Sequence, residues 1–382
     1  METIDFVLTG CLFVCFVIQV FYYLYFFAKP LRYQKKNNKN KTVETVEIPS
    51  PGVSVIISSK NESQNLAQFL PSILEQDYDN FEVIVVNDGS TDESEEVLGK
   101  LERQYGNLYK THIPVEAKNI SHKKLALTVG IKAAKHDILL FTEANNQPLS
   151  KNWIKSMAGK FDSNTEIVLG FSRYNRWGFA SNLAGFDNLL TGLKYLSKAI
   201  MKHPYMGIGT NLAYKKDLFF SKKGFSKYLK LQSGEDDLFI NELANKTNTK
   251  VEISQESITQ TNIESFEIWK DIKICREVTQ SYYAGNEIRL WRFEYLIRFL
   301  FWGLAIASSI ISWETMYIPA IAGFLFIIRF LILYNVINKS ARMLLVKPYK
   351  FSLLIFDLLQ PIFNIYFHFT KTFQGKNDYI WR

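Results

Sequence analysis

One polar segment, NDGSTDES, has the residue types needed to hold a nucleotide. It directly follows the apolar run FEVIVV and begins with Asn87 and Asp88. The Asp88 carboxylate could accept hydrogen bonds from a uracil or a ribose, and Gly89 lets backbone approach a ligand closely. Ser90 and Thr91 are also ordinary caps of a following helix. The segment alone therefore fits both a nucleotide site and a turn followed by a helix cap.

Short apolar runs alternate with amphipathic stretches from Val53 onward, and they must position this segment. The alternation predicts a doubly wound α/β sheet of mostly parallel strands. The predicted buried strands are 53–58, 81–86, 137–141 and 166–171, and the predicted helices between them are 62–76, 92–105 and 121–135. Ligands of such sheets lie beyond the carboxyl ends of the strands. We therefore expect a site in the loops after Ser58, Val86 and Phe141.

The second half of the chain is more helical. Residues 181–203 predict a helix, 207–214 a loop and then a strand, and 233–244 an acidic helix start. Residues 265–285 are amphipathic and aromatic, which suits a helix at a membrane surface.

Three apolar runs predict membrane-spanning helices, because about 20 apolar residues cross a bilayer. They are 6–28, 296–313 and 316–336. Glu2 and Asp5 precede the first run and lysines follow it, so we expect an uncleaved anchor rather than a signal peptide. The basic residues after it mark the cytoplasmic side and attract anionic lipid. This position accounts for the net charge of +8 better than nucleic-acid binding does.

A fourth apolar run, 351–369, contains polar residues that are costly in lipid, among them Asp357 and Asn364. We favour a helix in the interface or packed on the others over a fourth span. Arg329 lies about midway through its run, where it could meet a lipid phosphate, pair with Asp357 or snorkel. The three cysteines, Cys11, Cys15 and Cys275, form no disulfide framework.

The order of four motifs resembles a family 2 glycosyltransferase with the inverting GT-A fold. The motifs are VSVIISSKNE, NDGSTDES, SHKKLALTVGIKAA and DILLFTEANNQP, and the resemblance runs from about Val53 to Trp269. The flanking spans resemble the processive and lipid-acceptor members of that family, which make cell-envelope polysaccharides. The resemblance implies a nucleotide-sugar donor, for which we expect a UDP-linked sugar, and a lipid or lipid-linked glycan acceptor.

The resemblance also implies roles for residues at matching positions. Asp236 is the first choice for the general base and Asp237 the second, although acids at a helix start also complement the helix dipole. For His122 and Lys123, an exposed helix start is favoured over a ligand contact. The expected donor contacts are Glu62 on the nucleoside side, Asp88 on base or ribose, Lys124 on the diphosphate, Glu143, and Arg276 on diphosphate or acceptor.

Two motifs depart from the family pattern. After the fourth strand the pattern has two acids, whereas this chain has Glu143 and Asn145. An amide oxygen can still bind Mg²⁺ or Mn²⁺, but without the charge of an aspartate. The final motif keeps Arg276, while Lys273 and Glu277 do not fit.

We therefore expect a membrane-bound, multi-pass glycosyltransferase with a cytoplasmic catalytic domain. The alternative is a degenerate subunit that binds a nucleotide-sugar or a partner enzyme; a purely structural membrane-surface protein leaves the polar loops unexplained. The sequence gives no evidence on oligomers. The expected boundaries are an anchor at 1–28, a basic linker at 29–51, the catalytic domain at 52–263, an interfacial region at 264–294, a transmembrane hairpin at 295–337 and a C-terminal region at 338–382.

Overall fold

The computed structural model describes residues 2–40, 50–113 and 121–373. The strands within these ranges are β1 (Val53–Ser59), β2 (Phe81–Asn87), β3 (Leu108–His112), β4 (Ile138–Glu143), β5 (Asn146–Pro148), β6 (Ile167–Leu169), β7 (Ser172–Tyr174), β8 (Leu212–Lys215), β9 (Thr249–Val251) and β10 (Thr259–Thr261). The helices are α1 (Glu2–Phe21), α2 (Lys29–Asn40), α3 (Ser63–Leu74), α4 (Ser94–Gln104), α5 (His122–Ala133), α6 (Trp153–Ala158), α7 (Phe179–Ile200), α8 (Lys216–Ser221), α9 (Asp237–Leu243), α10 (Phe266–Thr279), α11 (Glu287–Ile311), α12 (Tyr317–Met343) and α13 (Ser352–Phe373).

The central sheet has seven strands in the order β3-β2-β1-β4-β8-β6-β9. Strand β1 pairs in parallel with β2 and β4, and β2 pairs in parallel with β3, whereas β8 is antiparallel to β4 and β6. The predicted α/β sheet of mostly parallel strands is confirmed. The register places Ser58 opposite Glu143 and Ser59 opposite Asn87, so the predicted polar loops leave the sheet at one edge.

Alternate residues of the strands face two different hydrophobic cores. Ile56 and Ile84 pack in the core that contains Leu127 of α5, whereas Val55 and Val83 pack in the core that contains Leu66 of α3. Because strand side chains alternate between faces, both faces of the sheet are covered by helices. This is the doubly wound arrangement, and it fixes the starts of α3 and α5 beside the polar edge.

Four helices of the described chain are long and apolar enough to span a membrane. They are the segments Asp5–Lys39, Glu287–Ile311, Tyr317–Met343 and Ser352–Thr370. The first combines α1, a π-helical stretch over Tyr22–Phe27, and α2. Residues 29–40 of the expected linker 29–51 are therefore helical, and residues 41–49 lie outside the described ranges.

Helix α13 buries its polar side chains and exposes several apolar ones. Asp357, Gln360 and Asn364 are buried, while Ile362 and Ile365 are 45% and 47% exposed. The polar face contacts α7, α10 and α11. This arrangement suits a helix packed on the protein with its outer face in lipid. Arg329 of α12 lies 2.7 Å from Asp357, which is one of the two partners that the sequence suggested.

Candidate active site

A pocket opens at the polar edge of the sheet, between the ends of β1 and β4 and the start of α9. Four charged side chains from three segments of the chain meet there. The lining includes Ser58, Lys123, Phe141, Thr142, Glu143, Gly209, Tyr214, Glu235 and Asp236. The pocket thus contains two of the predicted site residues, Glu143 and Asp236, together with Lys123, for which a ligand contact was the less favoured alternative, and Glu235, which was not predicted.

Lys123 joins two acidic segments of the pocket. Its Nζ lies 2.8 Å from a carboxylate oxygen of Glu143 and 2.8 Å from one of Glu235. Burial alone would lower the pKa of this ammonium group, but the two carboxylates outweigh it and hold the pKa above its ordinary value. The expectation that Lys123 is part of an exposed helix start is therefore wrong. Lys123 therefore keeps its positive charge where it lines the pocket.

Lys124 has a different environment from the one expected for a diphosphate contact. Its side chain is fully buried, and its Nζ donates hydrogen bonds to the carbonyls of Tyr228, Leu231 and Ser233 at 3.0, 2.5 and 2.7 Å. These bonds use all three ammonium hydrogens. The lysine that lines the pocket is therefore Lys123, one residue before the predicted Lys124.

Asp88 and Glu62 lie on neighbouring loops of the same edge. The Asp88 carboxylate is 2.8 Å from Nδ1 of His122, which stands at the start of α5 with its side chain 32% exposed. Gly89 has a φ of 60°, which a glycine adopts without strain. Burial raises the pKa of the Glu62 carboxyl, with a further contribution from Glu143, although a hydrogen bond from Asn65 works in the other direction. Asp88 and Glu62 thus lie at the same edge of the sheet as the pocket, but they do not line it.

The two adjacent acids at the start of α9 differ in what they contact. Asp237 is buried, and its oxygens accept hydrogen bonds from the amide of Leu238 and the hydroxyls of Thr279 and Tyr283. Asp236 instead lines the pocket. Burial, followed by the nearby charges of Asp237 and Glu235, raises the pKa of Asp236 to about 7. A carboxylate with such a pKa is suited to accept a proton near neutral pH.

Glu143 and Asn145 offer oxygen ligands to a divalent cation. Oδ1 of Asn145 is buried without a hydrogen-bond partner among the described residues, whereas its Nδ2 donates to the carbonyl of Asn262. Mg²⁺ commonly takes one or two protein oxygens and completes its shell with phosphates and water. The described residues contain no group of three His, Cys, Asp or Glu arranged for a metal. The unpartnered Oδ1 of Asn145 is therefore the observation that fits a cation here, and Glu143 Oε1 is already paired with Lys123.

Helix α10 carries Arg276 near the acids of α9. Burial alone would lower the pKa of the guanidinium, but Tyr174 and then Asp236 and other acids outweigh it, so the pKa is raised. The two departures on this helix have structural partners on α13. Lys273 Nζ donates to Asn364 Oδ1 at 2.9 Å, and Glu277 lies 3.3 Å from His368. Lys273 also forms an ion pair of 3.0 Å with Asp187 of α7.

Sequence reasoning missed Glu235 as a functional candidate, and it gave a ligand contact for His122 and Lys123 only as the less favoured alternative. Successive residues of a helix point about 100° apart, so only one of two adjacent lysines can face a given pocket. Helical spacing puts Lys124 on the face of α5 that carries the buried Leu127 and Ile131. That spacing was a usable signal that Lys124 is the inward lysine.

The comparisons with known sequences agree with these motifs. Residues 54–220 match the family model described as glycosyl transferase family 2. Poly-beta-1,6-N-acetyl-D-glucosamine synthase of Staphylococcus aureus (strain COL) is 26% identical over 121 residues, which are 32% of this chain and 27% of that protein. The protein of the same name from Staphylococcus epidermidis is 27% identical over 121 residues, with the same shares. This chain therefore matches about a quarter of the length of these relatives.

A solved structure resembles nearly the whole chain. It is a mannosyltransferase from Pyrobaculum calidifontis in complex with GDP-Man and Mn²⁺, with a TM-score of 0.53 and 16% sequence identity. The similarity covers 94% of this chain and 99% of that chain. At this identity the likeness shows the fold alone, which is GT-A-like with added apolar helices.

Proposed function

Because residues 54–220 match the glycosyl transferase family 2 model, we propose that this chain transfers a sugar from a nucleotide-sugar donor to an acceptor at a membrane, with inversion. The observation that carries the proposal is the pocket in which Asp236 faces Lys123 and Glu143. The pocket combines a proton acceptor, Asp236, with a cation, Lys123, that can face the negatively charged nucleoside diphosphate as it leaves. A UDP-linked sugar is the donor class that we propose.

The proposed reaction is a single displacement at the anomeric carbon. The acceptor hydroxyl oxygen forms a bond to that carbon from the face opposite the diphosphate. The bond between the carbon and the diphosphate oxygen breaks, and the nucleoside diphosphate leaves with the electron pair. Asp236 takes the hydroxyl proton as general base. Its raised pKa, about 7, supports this role.

Lys123 and Arg276 are the cationic groups proposed for the diphosphate, and Asp88 and Glu62 are proposed for the nucleoside. Fixed positive charges that face the leaving group stabilise the charge that develops on it. Glu143 and Asn145 would hold a divalent ion, which would offset part of the negative charge of the diphosphate when bound. Lys124 has no direct role in this scheme, because carbonyls occupy its ammonium hydrogens.

The acceptor is proposed to be a lipid or a lipid-linked glycan. Helices α7 and α10 of the catalytic region pack directly on α13, which has an apolar outer face. A site held this close to lipid is well placed for an acceptor that is itself membrane-bound. We further propose a multi-pass protein whose catalytic domain is cytoplasmic, since Lys35 and Lys36 of α2 lie on the domain's side of the first span.

A donor panel tests the proposal. The full chain in nanodiscs is incubated with UDP-, GDP- and dTDP-linked sugars, with and without Mn²⁺, and release of the nucleoside diphosphate is measured against Asp236→Asn. We expect turnover of a UDP-linked sugar and its loss in the variant. Equal turnover by the two proteins would show that Asp236 is not the base. Absence of turnover with every donor would contradict the proposal that this chain is a glycosyltransferase.

A second candidate function is nucleotide-sugar binding without transfer. The specific observation in its favour is Asn145, an uncharged residue where the family pattern has an acid. UDP stabilises the folded protein by mass action if it binds only that form. Thermal stabilisation by UDP without turnover of any donor would favour the binding subunit, and stabilisation together with turnover would favour the enzyme.

A further inference from the structure

The start of α5 holds the segment 228–233, which leads directly into Glu235 and Asp236. Lys124 donates to the carbonyls of Tyr228, Leu231 and Ser233. Ser121, the N-cap of α5, adds two more bonds: its hydroxyl donates to the carbonyl of Gln232 at 3.0 Å, and its amide donates to that of Leu229 at 3.3 Å. Two residues of one helix start therefore bind five backbone carbonyls of a six-residue segment.

The geometry points to a positioning role: we propose that Lys124 and Ser121 fix the segment 228–233, and through it place Asp236 at the pocket. The inference rests on the proposed function, in which Asp236 is the base. It replaces the direct phosphate contact that the sequence suggested for Lys124.

The charge of Lys124 makes the fixation stronger than neutral hydrogen bonds would. A buried ammonium group is costly unless every hydrogen is bonded, so the three carbonyls must stay in place around it. The segment then turns at Gly234, whose φ of 98° is suited to glycine, and Glu235 follows with its bond to Lys123. The two lysines thus hold both sides of that turn.

Only a small displacement of Asp236 would matter for catalysis. A general base must lie within hydrogen-bond reach of the acceptor hydroxyl, and a misplacement of about 1 Å can cost on the order of 100-fold in rate. Donor binding, in contrast, depends on Asp88, Lys123 and Glu143. Loss of the Lys124 bonds is therefore expected to separate turnover from donor affinity.

The test compares Lys124→Met and Ser121→Ala with Lys132→Met, a matched lysine change at an exposed position of the same helix. Hydrogen–deuterium exchange of the full chain in nanodiscs is followed at the amides of 229–236, and kcat and the donor KM are measured across pH. We expect faster exchange there in K124M and a smaller increase in S121A. In K124M we also expect a fall in kcat of about 10- to 100-fold, a donor KM within about twofold of the wild type, and a shifted acid limb of the pH profile.

Several outcomes would overturn the proposal. If the amides of 229–236 exchange at the same rate in K124M and in K132M, Lys124 does not fix this segment. Faster exchange with unchanged kcat and pH profile removes the positioning role, and a raised donor KM at unchanged kcat makes Lys124 a phosphate contact. If the wild type turns over no donor, the proposed function fails, whereas the exchange measurement still decides whether Lys124 fixes the segment.

Discussion

The backbone amide of Gly209 donates a hydrogen bond of 2.7 Å to Oδ2 of Asp236. The other carboxylate oxygen accepts a bond of 2.6 Å from the amide of Asp237. Gly209 precedes β8 and Asp236 caps α9, so these bonds orient the carboxylate between two elements of the sheet edge. The orientation of a base is as important as its pKa, because the proton must be taken along one direction.

The adjacent acids provide a matched pair of substitutions. Asp236→Asn is expected to lower kcat by about 10²- to 10⁴-fold, the usual contribution of a general base, while UDP affinity stays near that of the wild type. Asp237→Asn is expected to lower the melting temperature instead, since Thr279 and Tyr283 lose a charged acceptor. Single-turnover rates, UDP titration and thermal unfolding measure these effects. A large fall in kcat in Asp237→Asn, with kcat unchanged in Asp236→Asn, would identify Asp237 as the base.

Activity is expected to rise with pH through about 7. A base acts in its deprotonated form, and burial together with Asp237 and Glu235 raises the pKa of Asp236 to about 7. At pH 6, kcat/KM should be about one tenth of its plateau value, since the carboxylate is then mostly protonated. A rate profile from pH 5 to 9 checks this. A profile that is flat, or that falls with rising pH over this range, would contradict the role of Asp236.

Restoring an acid at position 145 is expected to strengthen metal binding. Asn145→Asp adds a negative charge beside Glu143, and hard divalent cations prefer carboxylate oxygens. We expect the Mn²⁺ concentration for half-maximal UDP stabilisation to fall by about tenfold, whereas the exposed change Asn164→Asp should leave it unchanged. Thermal unfolding at graded Mn²⁺ measures the difference. Identical curves for both variants would mean that position 145 does not touch the metal.

The ion pair between Lys273 and Asp187 is expected to stabilise the packing of α10 on α7. Lys273→Met leaves the carboxylate of Asp187 buried without its cation, which typically costs about 3–5 kcal/mol of unfolding free energy. The double variant Lys273→Met with Asp187→Asn should recover part of this loss, because no unpaired charge remains. Thermal or chemical unfolding in nanodiscs compares the two. A double variant less stable than the single one would show that the charge is not the cause.

The outer face of α13 is expected to contact lipid. Spin labels at Ile362→Cys and, as a control on the catalytic domain, Lys246→Cys can be compared in a chain whose three cysteines are replaced. The label at 362 should be more accessible to oxygen than to a water-soluble nickel complex, because oxygen concentrates in hydrocarbon. The label at 246 should show the reverse. Equal accessibility at both positions would place this face in water.

Sequence periodicity predicted the strands β1, β2 and β4 and the helices around them to within a few residues, because these strands are buried over most of their length and the helices have one buried face. Strand β3 was missed because only Leu108 of its five residues is buried. An edge strand with one buried side chain has no alternating apolar pattern to detect. The site residues that could be predicted also depend on buried strands. Asp88 and Glu143 lie at the ends of strongly apolar strands, so their place at the sheet edge could be predicted.

The roles of Lys273 and Glu277 could not be predicted in this way. Their partners Asn364 and His368 are each 91 residues away along the chain. Local spacing contains no information about a contact formed only when α13 folds onto α10. What looked like a departure from a catalytic motif is, in the structure, one half of a contact between two helices.

The close packing of α10 on α13 affects how the protein can be handled. The ring of Trp269 lies 5.9 Å from that of Phe363 and 5.4 Å from that of Phe367. A water-soluble fragment that ends after α10 would therefore expose an indole, a lysine and the apolar side of α7 that normally have neighbours. The proposed catalytic region and α13 therefore cannot be separated, because α13 covers the buried side of α10 and α7. The detergent or lipid chosen for purification contacts the outer face of α13, and it can therefore change the stability of the catalytic region that packs on the inner face of this helix.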